Sequence, residues 1–312
     1  MNRLDAILQR ATDLTALTGR RIVLPEGEDP RIQAAAEILR ERKIVQPIVL
    51  SATDLGTVSR DRLTREMDEA RSGKDSRPEV HERWLTDPLY VAAAMVRMGE
   101  AEGAVAGACH ATSDILRAAL QILGAGEGVR TVSSFFMIEL PAPTAGGQRL
   151  LAFADCGLVP SPDAAQLAEI ATATARSYRQ LTDEQPKVAL LSFSTHGSAT
   201  DPSVTRVREA RNLIAEQSPD FLFDGELQLD AAIVPEVAAT KANASPLEGQ
   251  ANVLIFPDLN SGNIGYKLAE RLGGAQAVGP LVQGLRAPFN DLSRGATVDD
   301  IVMAAAIAAV QA

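Results

Sequence analysis

The chain of 312 residues carries a net charge of −10, with 46% hydrophobic and 22% charged residues, the balance of a soluble globular protein able to bury a sizeable core. That acidity argues against nucleic acid or an anionic membrane as partner, since both select a basic face, yet it leaves room for a small anion in a locally positive pocket. No apolar run is long enough to span a bilayer, the first residues lack a signal-peptide core, and two distant cysteines, Cys109 and Cys156, predict a reduced, cytoplasmic setting without a disulfide framework.

Residues 4–16 read as a short amphipathic helix, 21–24 as a strand and 25–29 as a loop. Pro30 suits a first helical turn, and Ile32, Ala35, Ala36, Ile38 and Leu39 give the helix an apolar face. A strand at 47–50 completes a βαβ unit. Periodicity weakens over 51–83, with an exposed loop expected at 72–78, and returns as a helix at 87–98. Residues 103–108 are a buried strand; Thr112 or Ser113 caps a helix over 114–123, and the small residues between them form a natural anion seat.

A strand at 130–138, a proline-glycine turn and a return strand at 150–154 predict a hairpin. The alternation then resumes: helix 162–180, strand 188–193, a hydroxyl-rich loop with His196, helix 204–217, strands 221–224 and 252–256, helix 264–272 and an apolar run at 277–282. This rhythm predicts an α/β protein with mostly parallel sheets covered on both faces, whose ligands gather where strand ends meet helix starts. Four such loops stand out, around residues 110, 195, 261 and 293.

The usual signatures of phosphate-loop nucleotidases, dinucleotide binders, serine hydrolases and His/Cys metal sites are missing, and there are only three histidines. No metal site is expected. Cys109 and His110 are adjacent, so on a strand they point apart, and a buried thiol is the expected role of Cys109. His196 could touch a phosphate or simply stand in a solvated loop. Arg117 lies three residues after Asp114, the spacing of an intrahelical ion pair, and Arg271 suits the end of its helix.

The densest chemistry lies in Asn290-Asp291-Leu292-Ser293-Arg294-Gly295-Ala296-Thr297-Val298-Asp299-Asp300, followed by an alanine-rich helix at 301–310. A hydroxyl, a guanidinium, a glycine and carboxylates suit a site that holds an anion and moves a proton. The same letters also read as plain structure: Thr297 with Asp300 makes a helix cap, and Asn290-Asp291 is ordinary turn chemistry.

Several segments resemble the phosphate acetyltransferase (phosphotransacetylase) family. They include Ile22-Val23-Leu24-Pro25-Glu26-Gly27, Ala106-Gly107-Ala108-Cys109-His110-Ala111-Thr112, Thr131-Val132-Ser133-Ser134-Phe135-Phe136, Leu191-Ser192-Phe193-Ser194-Thr195, Gly262-Asn263-Ile264-Gly265-Tyr266-Lys267 and Asn290-Asp291-Leu292-Ser293-Arg294-Gly295. The resemblance covers nearly everything except about residues 50–85. It implies two three-layer α/β/α domains with the active site in the interdomain cleft, a discontinuous first domain of 1–128 plus 283–312 and an inserted second of 129–282. It implies transfer of an acetyl group between acetyl phosphate and coenzyme A, yielding acetyl-CoA and phosphate, by direct thiol attack in a ternary complex. Coenzyme A is then a substrate, no cofactor is permanently bound, and the protein is a homodimer. By the same resemblance Asp300 takes the thiol proton, Ser293 hydrogen-bonds the sulfur or the oxyanion, and Arg294, Arg117 and Arg271 hold the phosphate, with Thr112 also at the substrate. Propionyl or butyryl transfer, or a non-catalytic regulatory module, are the alternatives. Two departures stand out: Ala111-Thr112 where the family often has Thr-Thr, and His196 where it often has lysine.

Overall fold

Short apolar runs closed off by Gly, Pro and Asp become strands and capped helices in the computed structural model, which describes residues 3–51, 55, 59–70 and 83–312. In chain order these are α1 (Arg3–Thr18), β1 (Arg21–Leu24), α2 (Pro30–Glu41), β2 (Gln46–Val49), α3 (Arg60–Ala70), α4 (Pro88–Arg97), β3 (Gly103–Ala106) and α5 (Thr112–Ile122). There follow β4 (Ser133–Glu139), β5 (Leu150–Ala154), α6 (Ala164–Thr182), β6 (Lys187–Leu191), α7 (Pro202–Glu216), β7 (Leu222–Leu227), α8 (Leu229–Ile233), α9 (Pro235–Lys241), β8 (Val253–Ile255), α10 (Leu259–Arg271) and β9 (Gln276–Gln283). The chain ends with β10 (Phe289–Asp291) and α11 (Val298–Gln311). Three helix starts use the same device: Asp29, Asp87 and Asp201 each accept a backbone N–H, and a proline follows at the first helical position.

These elements form two units, Met1–Val129 with Gly284–Ala312, and Arg130–Gln283. The first holds a four-stranded sheet, β10-β3-β1-β2, parallel throughout. On one face α11 packs against α1 and α2 and against β1, β3 and β10; on the other α4 lies on β1 and β3, beside α3 and α5. The α4 side builds a core from Leu89, Val91, Ile115, Ile122 and Phe289. Residues 301–310 of α11 are all buried, and its run of alanines lets the helix lie close to its neighbours. The sheet order places β1 and β3 side by side with their crossovers on opposite sides. The carboxyl ends of those strands are therefore the topological switch point, where an open α/β sheet binds ligands.

The second unit is a six-stranded sheet, β7-β6-β8-β5-β4-β9, in which β4 runs antiparallel to both neighbours. Helices α6 and α7 cover one face; α8 and α10 contact strands of the same sheet, with α9 against α8. Each unit is thus an α/β/α sandwich with a mostly parallel sheet.

Some sequence expectations need correction. Asn290 and Asp291, read as turn residues, are buried in β10 and pair with Val105 and Ala106. Turn chemistry lost to strand pairing because both residues enter a sheet. Helix α3 lies where periodicity is weak, since only Leu63 and Met67 are buried along it. The short helices α8 and α9 were not anticipated at all. The loop expected at 72–78 lies outside the described residues.

Candidate active site at the carboxyl ends of β1, β3 and β10

The loop after β3 is an array of backbone N–H groups opening toward a helix start, the geometry that binds anions. The anion it holds is the chain's own. Glu26, just beyond β1 and 3% exposed, accepts from Gly107 N and Ala108 N through Oε2 and from Cys109 N and His110 N through Oε1, at 2.8–3.0 Å. His110 Nδ1 joins the same carboxylate at 2.7 Å. The anion seat expected near residue 110 is therefore filled from within: the Glu26 carboxylate satisfies four backbone donors, of which those of Gly107 and Ala108 are buried.

The same solution recurs in the second unit. Glu226 Oε1 accepts from Gly197 N at 2.8 Å and Ser194 Oγ at 2.9 Å, and Asp258 caps α10 through Ser261 N. His196 Nε2 lies 3.0 Å from Asp224 Oδ2, so that ring is engaged by a buried carboxylate.

A second device fixes the loop after β10. Arg31 spends all five of its N–H donors. Nε and Nη2 reach the two oxygens of Asp29 at 3.1 and 2.6 Å, and Nη2 also reaches Ala108 O at 2.9 Å. Nη1 reaches Arg294 O and Ala296 O, each at 2.9 Å. The guanidinium hydrogen bonds hold the Asp29 carboxyl down to about 2. One side chain thus ties the loop after β3 to the loop after β10.

On that tied loop Ser293 and Arg294 are exposed. Ala296 N closes a turn onto Ser293 O at 2.8 Å, and Ser293 Oγ accepts from Gly295 N at 3.3 Å. Thr297 and Asp300 form the capping box: Asp300 Oδ2 accepts from Thr297 N and Thr297 Oγ1, both at 2.8 Å, and Thr297 Oγ1 accepts Asp300 N at 3.2 Å. The cap reading of that pair is real; it leaves the carboxylate at the surface, beside the loop that carries Ser293.

Thr112 does not cap its helix. Ala111 holds that position without a side-chain hydrogen bond, and the Thr112 hydroxyl shares a 2.5 Å hydrogen bond with Asp291 Oδ2. This joins α5 to the strand that delivers Ser293. Asp291 is 1% exposed, and burial, with the Glu26 carboxylate adding to it, pushes its carboxyl up to about 7 despite the Thr112 hydrogen bond, while Leu292 N donates to Ala106 O at 2.7 Å.

The two other predicted arginines each sit beside an acidic neighbour. Arg117 is exposed and paired with Asp114 at 2.8 Å; among the described residues nothing bonds it to Ser293, Arg294 or Asp300. Arg271, at the end of α10 in the second unit, is exposed and lies 3.3 Å from Glu270. Cys109 is exposed, not buried as expected. Its Sγ faces Asp29 Oδ2 at 3.3 Å, and partial desolvation with that carboxylate pushes the thiol up to about 11. It therefore does not pair with His110. Among the described residues no group of three or more His, Cys, Asp or Glu could hold a metal ion, and no helix is long and apolar enough to cross a membrane.

Sequence reasoning missed Glu26, Asp29, Arg31 and Asp291 as parts of the site. The available signal was Pro25-Glu26-Gly27-Glu28-Asp29, a carboxylate-rich loop directly after a central strand. What that loop holds depends on contacts some eighty residues away.

Comparison with known proteins supplies the context. A family model described as phosphate acetyl/butaryl transferase matches residues 4–309. A phosphate acetyltransferase of Paracoccus denitrificans is 46% identical, covering 100% of this chain and 99% of its own. One from Acetivibrio thermocellus is 44% identical over 100% and 98%. The crystal structure of a phosphotransacetylase from Streptococcus pyogenes superimposes with a TM-score of 0.90 at 39% identity, covering 98% of each chain.

Proposed function

The chain belongs to the phosphate acetyl/butaryl transferase family, and we propose that it works as a phosphate acetyltransferase, interconverting acetyl phosphate plus coenzyme A with acetyl-CoA plus phosphate. The observation that carries this is the full-length identity of 44–46% to relatives bearing that name. The geometry supports it: Ser293 and Arg294 are exposed on a loop that Arg31 holds in place.

The thiol sulfur attacks the acetyl carbonyl carbon, the acyl C–O bond breaks, and phosphate leaves with the electron pair. A free thiol is mostly protonated near neutral pH. Asp300 takes its proton, Ser293 donates to the oxyanion or the sulfur, and Arg294, Arg117 and Arg271 hold the phosphate. Thr112 offers a further hydroxyl. Coenzyme A is a substrate, and no cofactor is permanently bound.

The working unit is a homodimer. Ile264 and Leu268 on α10 and Leu272 at its C-cap form an exposed apolar row, 57%, 51% and 81% exposed, of the kind that a second copy covers. The setting is cytoplasmic, in keeping with two free thiols, and the net charge of −10 is unsuited to nucleic acid or membrane.

The test is thioester formation followed by ultraviolet absorbance, with coenzyme A and acetyl, propionyl or butyryl phosphate. Rapid acetyl-CoA formation that is lost in Asp300→Asn, with little change in melting, supports the assignment. Fastest turnover on a longer acyl group shifts the substrate within the family. No turnover from folded protein sinks the enzymatic reading and leaves a regulatory module.

A further inference from the structure

Asp291 is a buried ionisable group to which the acyl-transfer reading gives no task. Asp291 closes β10 two residues before Ser293. Its Oδ2 meets Thr112 Oγ1 at 2.5 Å, while its Oδ1 is buried with no hydrogen-bond partner. Gly107 packs over that orphan oxygen: a Cβ on Gly107 would lie 2.5 Å from it. A carboxylate spreads its charge over both oxygens, and a bare buried oxygen is most costly when charged. A protonated carboxyl needs less. Its O–H requires one acceptor, which Thr112 provides, and its carbonyl oxygen bears isolation better.

The charges around Asp291 favour the acid form too. Glu26, on the β1 loop, is the charge that acts on it, and it is negative. The end of β3 brings Ala106 to it and the loop after β3 brings Gly107; His110 of that loop is engaged by Glu26, and Cys109 and Arg31 by Asp29. Helix α5 brings Thr112, while its Asp114 and Arg117 pair at the surface. Helix α11, packed on β10, carries Asp299 and Asp300 at its start, with Asp300 on Thr297. No cation is bonded to Asp291 among the described residues.

We propose that Asp291 is a positioning residue acting through Thr112: its protonated Oδ2 donates to Thr112 Oγ1, which frees the Thr112 hydroxyl proton for an oxyanion of the bound acyl phosphate. The inference rests on the acyltransferase reading above. A hydroxyl has one proton to give. While Asp291 is neutral, Thr112 gives that proton outward, from its half-buried place at the start of α5. Once Asp291 ionises the hydrogen bond reverses, Thr112 gives its proton inward, and only lone pairs face the substrate anion. Burial pushes the carboxyl up to about 7, so the reversal falls near neutral pH.

The experiment measures KM for acetyl phosphate at about pH 6 and about pH 8.5 in wild type, Asp291→Asn, Thr112→Val and Thr112→Ser. Wild-type KM should rise on the order of tenfold between them, the worth of one hydrogen bond to a charged group. In Asp291→Asn the amide donates to Thr112 at either pH, so the ratio falls toward one whatever happens to kcat. Thr112→Val should have a high KM at both, and Thr112→Ser should restore the wild-type ratio. Dividing variant by wild type at each pH cancels any titration of the substrate. An Asp291→Asn protein that keeps the wild-type ratio overturns the proposal.

Thermal melting without substrate tests the acid form independently of activity. The unfolded carboxyl loses its proton near 3.8 and the folded one at about 7. The unfolded state therefore binds fewer protons between those values, and wild-type stability falls as pH rises through that window. Asp291→Asn should lack that share of the decline. Identical slopes in the two proteins overturn the acid form. If wild type turns over no acyl phosphate, the acyltransferase reading fails and the donor role with it; a difference in slope then identifies that premise as the one that failed.

Discussion

Arg31→Lys keeps a positive charge and removes the planar fork. In the wild type the guanidinium serves three places at once: both oxygens of Asp29, Ala108 O, and the carbonyls of Arg294 and Ala296. An ammonium group has three donors at one point and reaches one of these places well. Asp29 keeps the attraction, so the carbonyls of the loop after β10 go unserved. Each net hydrogen bond is worth about 0.5–1.5 kcal/mol. The side chain is 31% exposed, so water replaces part of what is lost, and about 1–2 kcal/mol remains. That corresponds to a fall in melting temperature of a few degrees. The catalytic effect should be larger. Ser293 and Arg294 sit on the released loop, and a displacement of about 1 Å costs on the order of a hundredfold in rate. The assay is kcat/KM for thioester formation beside a circular-dichroism melt. A hundredfold loss with a melt lowered by only a few degrees is the expected result. Wild-type kcat/KM in Arg31→Lys would refute the clamp.

Other perturbations follow from the same geometry. Glu26→Gln replaces one acceptor oxygen by a donor, stranding two of the four N–H groups it receives; at about 1–3 kcal/mol each a clear drop in urea midpoint is expected, and an unchanged midpoint would deny Glu26 its organising role. Gly107→Ala places a Cβ 2.5 Å from Asp291 Oδ1, Leu292 N and Leu292 O, at a φ of +120°, so it should yield little folded protein; a soluble variant with a wild-type melt would contradict the close approach. Cys109, its thiol pushed up to about 11, should react slowly with iodoacetamide near pH 8 despite its exposure, whereas alkylation at the rate of a free cysteine would show that Asp29 does not restrain it.

How much was legible differs between elements for physical reasons. Parallel strands with capped helices announce themselves, because Asp-Pro starts and apolar periodicity are local properties. The capping box of Thr297 and Asp300 spans four residues and is legible from them alone. Asp291 was misread as a turn because its short strand has no periodicity of its own; only Val105 and Ala106 across the sheet make it one. Cys109 was misread as buried because exposure at a strand end depends on what the next loop covers.

The order of residues by itself determined the α/β class, the Thr297–Asp300 cap, and the grouping of Ser293, Arg294 and Asp300 in one stretch. Each of these depends on neighbours a few positions apart. Tertiary structure alone decided which carboxylates are buried and what they face. Glu26 fills the amides of a loop after another strand, Arg31 reaches carbonyls more than two hundred residues away, and Asp291 is buried with one oxygen bare. Desolvation and hydrogen-bond satisfaction are set by everything that surrounds a group, and in a parallel sheet those surroundings come from distant parts of the chain.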